Sequence, residues 1–247
     1  MEAARQIRDA VNAVAQLRQA GLATPALGAA VAQVKQSQSR RYAGTYADLL
    51  AGREYAAAAR FFLEELYSDK DYAERDVQFA RIAGTIEKLF PAQVVETAVA
   101  LAELHAKTEA LDQQLAQAWL APQSASLAPG LRYVAAWRAV GRRADREDQL
   151  HVVLQIGAQM ARLTRTPGLR MMLRMMRAPA AAAGMAALQR FLESGFDTFA
   201  GMARRPGGAE GFLDIIRARE SALIAALFDE ELVACGTSLE HTLGQAR

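Results

Sequence analysis

Histidine and carboxylate side chains at helical spacing are the first place to look for chemistry. The chain has three histidines, His105, His151 and His241. His105 and Glu109 lie four residues apart, Asp148 and His151 three apart, and Glu147 and His151 four apart, so each pair can share a helix face. A di-metal carboxylate bundle uses Glu-x-x-His on two helices and a Glu from each of two others. No Glu-x-x-His occurs here, and Asp148-x-x-His151 and His105-x-x-x-Glu109 only approach that pattern. His105, Glu109, Asp148 and His151 are therefore weak candidates for a metal, and any one histidine is a weak candidate for a haem ligand. A structural, partly exposed histidine is the better account of each.

Other chemistries find less support. There is no G-x-x-x-x-G-K-[ST], no G-x-G-x-x-G and no G-x-S-x-G, so neither a phosphate loop nor a nucleophile elbow is present. Cys235 is the only cysteine, which excludes an internal disulfide and a cysteine-based zinc site, and it meets His241 only in sequence. The sequence thus leans away from an enzyme.

Two stretches stand out as surfaces. From Gln149 to Leu192 there is no Asp or Glu, but there are Arg162, Arg165, Arg170, Arg174, Arg177 and Arg190. Arg170, Arg174 and Arg177 are spaced to line one face of a helix at 167–177, and Met171, Met172, Met175 and Met176 cover the rest. Methionine adapts to varied partners. Such a helix suits a membrane surface, a phosphate track or an acidic partner helix. The structural alternative pairs these arginines with the acidic stretch Glu64 to Asp76 and puts the methionines in the core. Phe191 is the only Phe, Tyr or Trp in the basic stretch, so base stacking has little support.

The second stretch is the corner at 61–81. It combines Phe61, Phe62, Tyr67, Tyr72 and Phe79 with Glu64, Glu65, Asp69, Asp71, Glu74, Arg75, Asp76 and Arg81. It reads either as a polar site screened by aromatics or as core aromatics with charges on the wet face. Glu64, Asp71, Arg75 and Asp76 are its candidate interaction residues.

The elements that would position these side chains are helices. Ile7, Val11, Val14 and Leu17 mark a first helix that Gly21 would stop. Thr24-Pro25 starts a second, with Thr24 as N-cap, and the polar run Ser37 to Arg41 would end it. Further helices are predicted at about 53–67, 71–89, 91–119, 130–143, 145–164, 167–177, 185–203 and 209–228. Asp71 with Glu74 resembles a capping box for the fourth of these ten. Tyr133, Trp137 and Val140, and likewise Leu188, Phe191, Leu192, Phe196 and Phe199, read as core stripes. The expected fold is all-α, a multi-helix bundle of about eight to ten helices. The uncharged stretch 121–130, rich in Pro, Ser and Gly, is either a surface loop or a linker between helical halves at 1–120 and 131–247.

Composition agrees. Hydrophobic residues make up 52% of 247, enough for a real core, and the net charge of +2 names no polyanionic partner by itself. The N-terminal residues lack a basic region followed by an apolar one, so no secretory signal is expected, and the single cysteine suits a cytoplasmic setting.

The run Phe-Phe-Leu-Glu-Glu-Leu-Tyr-Ser-Asp-Lys-Asp at 61–71, followed by Arg-Asp-Val-Gln-Phe-Ala-Arg at 75–81, resembles the signature of a bacterial family of unknown function. Its members carry FFL-x-x-LYG-x-x-D and then RD. Residues 167–179 and 188–197 are also similar to that family. The resemblance covers the chain from about residue 50 onward, with Ser68 where a glycine is expected. It implies a helical, intracellular bacterial protein and transfers no catalytic residue. The function that follows is a non-catalytic interaction or regulatory protein with a protein partner, homo-oligomerisation remaining open. One alternative is a bundle holding a metal, haem or small apolar ligand. Another is a membrane or nucleic-acid binder using Arg170, Arg174 and Arg177.

Overall fold

The computed structural model describes residues 1–122 and 125–245. Gln123 and Ser124, within the expected loop or linker, lie outside the described residues. The described residues form helices and no strand. In chain order these are α1 (Glu2–Ala23), α2 (Pro25–Thr45), α3 (Ala47–Ala51), α4 (Ala56–Glu65), α5 (Ala73–Leu89), α6 (Ala92–Trp119) and α7 (Pro129–Val140). There follow α8 (Arg143–Leu163), α9 (Leu169–Met175), α10 (Arg177–Ala182), α11 (Ala186–Met202), α12 (Gly208–Asp229) and α13 (Leu232–Gln245).

The expected eight to ten helices is therefore low, by the short α3 and α10 and by α13. Helix α2 also outruns its expected end at Ser37 to Arg41, because Arg41 and Tyr42 are buried in the protein rather than shed into water. Pro25 opens α2 as expected, but the Thr24 side chain makes no capping bond. Gly21 does not stop α1.

The chain packs as two compact units. The first comprises Met1–Ala15, Lys70–Ala106 and Val152–Leu213; the second comprises Gln16–Asp69, Lys107–His151 and Asp214–Arg247. Each unit draws residues from both sides of 121–130, and α1, α6, α8 and α12 each contribute to both.

The first unit has a thin, alanine-rich core. Ala4, Ile7 and Ala10 of α1 meet Ala83 of α5 and Ala102 of α6, with Phe79 and Val99 against them. Small side chains let these helices approach closely, and α11 packs on α5 beside them. The second unit has a heavier core. Leu27 and Val34 of α2, Leu115 and Trp119 of α6, Val134 of α7 and Leu239 of α13 share one cluster. Its helices touch backbone to backbone. A Cβ on Gly44 would fall 2.0 Å from the Thr242 carbonyl oxygen, and one on Gly130 would fall 2.6 Å from that of Gly236. Only glycine fits either crossing.

Candidate functional site

In the second unit, charge is taken into the core. α2 presents Lys35, Gln38, Arg41 and Tyr42 along one side, continued by Tyr46 just past its end. Lys35 pairs with Glu109 of α6, and Gln38 donates to Asp112 Oδ1 at 2.8 Å. The Arg146 guanidinium of α8 stands 3.8 Å from the same Asp112 oxygen. Deeper along α2, Arg41 Nη1 and the Tyr46 hydroxyl both donate to Glu220 Oε1 of α12, at 2.5 and 2.9 Å. Tyr42 stacks on Tyr67 with ring centroids 4.5 Å apart, and the Arg41 guanidinium lies 5.2 Å from the Tyr67 centroid. Arg219 closes the end of the seam, donating to the Thr45 carbonyl and forking onto Asp48.

The chemistry open to this seam is narrow. Burial pushes the Tyr42, Tyr46 and Tyr67 hydroxyls far above the usual phenol range, followed by Tyr67 and Glu220 for Tyr42 and by Glu220 for Tyr46. These hydroxyls stay protonated; the Tyr46 hydroxyl donates to Glu220, while the Tyr42 hydroxyl is buried without a hydrogen-bond partner among the described residues. Burial also raises Asp112 against the pull of Arg146 and Gln38. Glu109 is paired with Lys35 and Glu220 with Arg41, and Asp112 stands near Arg146. The seam orders the helices relative to one another within the unit, the registry role best attested for buried polar groups. Burial likewise pushes the Cys235 thiol up, against any role as nucleophile.

Three of the four residues considered for a metal have other partners, and His151 has none among the described residues. His105 Nε2 lies 3.1 Å from Asp76 Oδ2 in the first unit. In the second unit Glu109 holds Lys35 and Asp148 holds Lys107, while His151 is exposed. Among the described residues no group of three or more His, Cys, Asp or Glu could hold a metal ion.

The corner at 61–81 divides between the two units. On the second unit's part, Phe61 and Phe62 are buried and Glu64 is exposed. On the first unit's part, Asp71 Oδ1 accepts from the Ala73 N–H at the first residue of α5, one position outside the N-cap Tyr72. Glu74 accepts instead from Gln78, one turn on, so the capping box is not completed. Arg75 is held between rings, 3.8 Å from the Tyr72 centroid and 4.4 Å from that of Phe191. Asp76 is buried on His105. Asp71, Arg75 and Asp76 thus serve the packing of α5.

The basic stretch behaves differently. The single helix expected at 167–177 is two. α9 ends at Met175, Met176 makes a turn, and α10 begins at Arg177. Pro179 is the cause: it has no N–H to give the Met175 carbonyl, and its ring crowds that group. Arg177 therefore does not extend the α9 face that carries Arg170 and Arg174. The arginines pair with α11, not with Glu64 to Asp76. Arg170 Nε and Nη2 reach Asp197 Oδ1 at 3.0 and 2.8 Å. Arg177 Nε is shared between the Glu193 oxygens at 2.7 Å each. That fork holds the Glu193 carboxyl below its usual range. Arg174, between them in sequence, has no ion pair among the described residues.

The methionines are not core either. Met171, Met175 and Met176 are 65%, 71% and 37% exposed, and Ala178, Pro179 and Ala181 to Ala183 continue the exposed apolar run. A shallow, open depression beside Arg174 is lined also by Leu173, Glu193, Phe196 and Asp197.

Fold and surfaces define an all-helical protein with a charge-paired interior seam in one unit and an outward basic, methionine-bearing surface in the other. The chain belongs to the family described as domain of unknown function DUF8198, whose model matches residues 17–233. No curated protein and no solved structure matches it.

Sequence reasoning missed Arg41, Tyr46, Asp112, Arg146 and Glu220. A signal for two of them was present. Glu220 falls in the apolar stripe Ile216, Ile224, Leu227 of α12, and Arg41 falls seven residues beyond Val34 on the buried side of α2. A charge on a core stripe marks a buried pair.

Proposed function

We propose that this is a non-catalytic helical interaction protein that docks through α9 and α10 onto an anionic membrane surface, without crossing it. One observation carries the reading: Met171, Met175 and Met176 project into solvent around an arginine, Arg174, that has no ion pair among the described residues. Large exposed apolar side chains rimmed by cations suit an interface of acyl chains and anionic headgroups. Arg162 and Arg165, also exposed, add positive charge in the same unit where α8 leads into α9. A partner helix would want a groove to lie in, and the depression beside Arg174 is shallow. A cytoplasmic location agrees, since that leaflet is the anionic one. Among the described residues no helix is long and apolar enough to cross a membrane.

The test is co-sedimentation of the full chain with vesicles of phosphatidylserine and phosphatidylcholine, against phosphatidylcholine alone. Binding is expected only to the anionic vesicles and is expected to weaken with added salt. Arg174→Glu should cut it about tenfold, since each basic residue near such a surface contributes about 1 kcal/mol. Failure to bind, equal binding to neutral vesicles, or preference for an oligonucleotide overturns the reading.

A further inference from the structure

The side chains that give this surface its apolar character are thioethers. Four of the chain's eight methionines fall within residues 171–176, and three of those four are among its exposed large hydrophobic residues. Leucine or phenylalanine would supply more apolar area and more definite packing. What methionine adds is a sulfur that accepts an oxygen atom and later gives it up. Met202, buried at the end of α11, lies in the same unit and is shielded from that chemistry.

We propose that Met171, Met175 and Met176 are a reversible oxidation site that releases the protein from the membrane; this rests on the docking reading above. A thioether sulfur attacks one oxygen of a peroxide. The S–O bond forms as the O–O bond breaks, and the departing hydroxide takes up a proton to leave as water. The sulfur is oxidised by two electrons and the peroxide is reduced. A thiol-dependent sulfoxide reductase reverses the step: two thiols become a disulfide and the oxygen departs as water. Each sulfoxide replaces an apolar tip with a polar one at the point where the surface must lose water. Arg174 remains, so the charge attraction survives while the apolar anchorage is lost.

The experiment treats the full chain with limiting hydrogen peroxide, maps oxidised methionines by peptide mass spectrometry, and repeats the vesicle co-sedimentation. Met171, Met175 and Met176 should take up oxygen well before Met202. Binding should fall about tenfold or more, since three apolar anchors become polar at once. A sulfoxide reductase should restore it. The M171L/M175L/M176L variant should bind and be indifferent to peroxide. If the untreated protein does not bind, the docking reading fails and the switch with it. If it binds and full oxidation of the three leaves binding intact, the switch alone is overturned. Loss of binding by the triple leucine variant on peroxide treatment would likewise overturn the switch and leave the docking reading in place.

Discussion

Glu220 and Glu193 each hold an arginine, yet the two pairs have different surroundings. The Arg41 and Glu220 side chains are 6% and 8% exposed, whereas Arg177 is 59% exposed against 16% for Glu193. The first pair has left water on both sides and gains a third member in the Tyr46 hydroxyl. The second keeps its guanidinium in solvent. A buried pair adds little net stability when formed, because desolvation offsets attraction, but it is costly to break. An exposed pair matters little either way. The contrast separates arginines that hold a unit together from arginines that present a surface.

Three substitutions press on that contrast. The largest effect is expected from Glu220→Ala, which strands a buried guanidinium and should cost about 3–5 kcal/mol in urea unfolding followed by circular dichroism. A loss under about 1 kcal/mol would mean the Arg41 site rehydrates, and the contrast would dissolve.

A smaller effect concerns Asp112, whose carboxyl is raised by burial. In the window between the ordinary aspartate range and its raised value, the folded protein holds a proton that the unfolded chain has lost. Stability from this group is full below that window and drains away as pH rises through it. Asp112→Asn should flatten that part of the stability profile, measured as urea midpoints across mildly acid to neutral pH. An unchanged slope would show that Arg146 and Gln38 already balance the burial.

The smallest effect is expected from Arg177→Ala, which should leave the unfolding midpoint where it is. A marked drop in the midpoint would make the α10–α11 contact structural and bring the two pairs closer in kind.

Much of the fold was legible in the pattern of apolar residues. The periodicity marked the long helices, and the Tyr133–Trp137 and Phe196–Phe199 stripes are buried as expected. The spacing of Cys235, Leu239 and Leu243 could have marked α13, but the glycine and hydroxyl residues between them weaken the helical signal. The polar run before Tyr42 misled for a different reason. Polarity in a sequence marks a need for partners, and solvent is only the commonest partner. Here the partners are Asp112, Glu220 and the Leu243 carbonyl, distant in the chain. The exposed methionines misled in the opposite sense, since apolar spacing alone does not say whether a face is covered. The break at Met176 was foreshadowed by Pro179.

The glycine crossings of α13 have a consequence for how the protein is made. Gly44 waits for the backbone at Thr242, and Gly130 for that at Gly236. The partner of α2 is therefore synthesised some 200 residues after it. While the chain is still emerging from the ribosome, the grooves of α2 and α7 stand open with their leucines and valines wet. The second unit closes only after residues 232–245 have left the exit tunnel. Its closure is thus delayed relative to the synthesis of α2 and α7, with a long interval in which a chaperone or a neighbouring nascent chain can meet the unfilled groove.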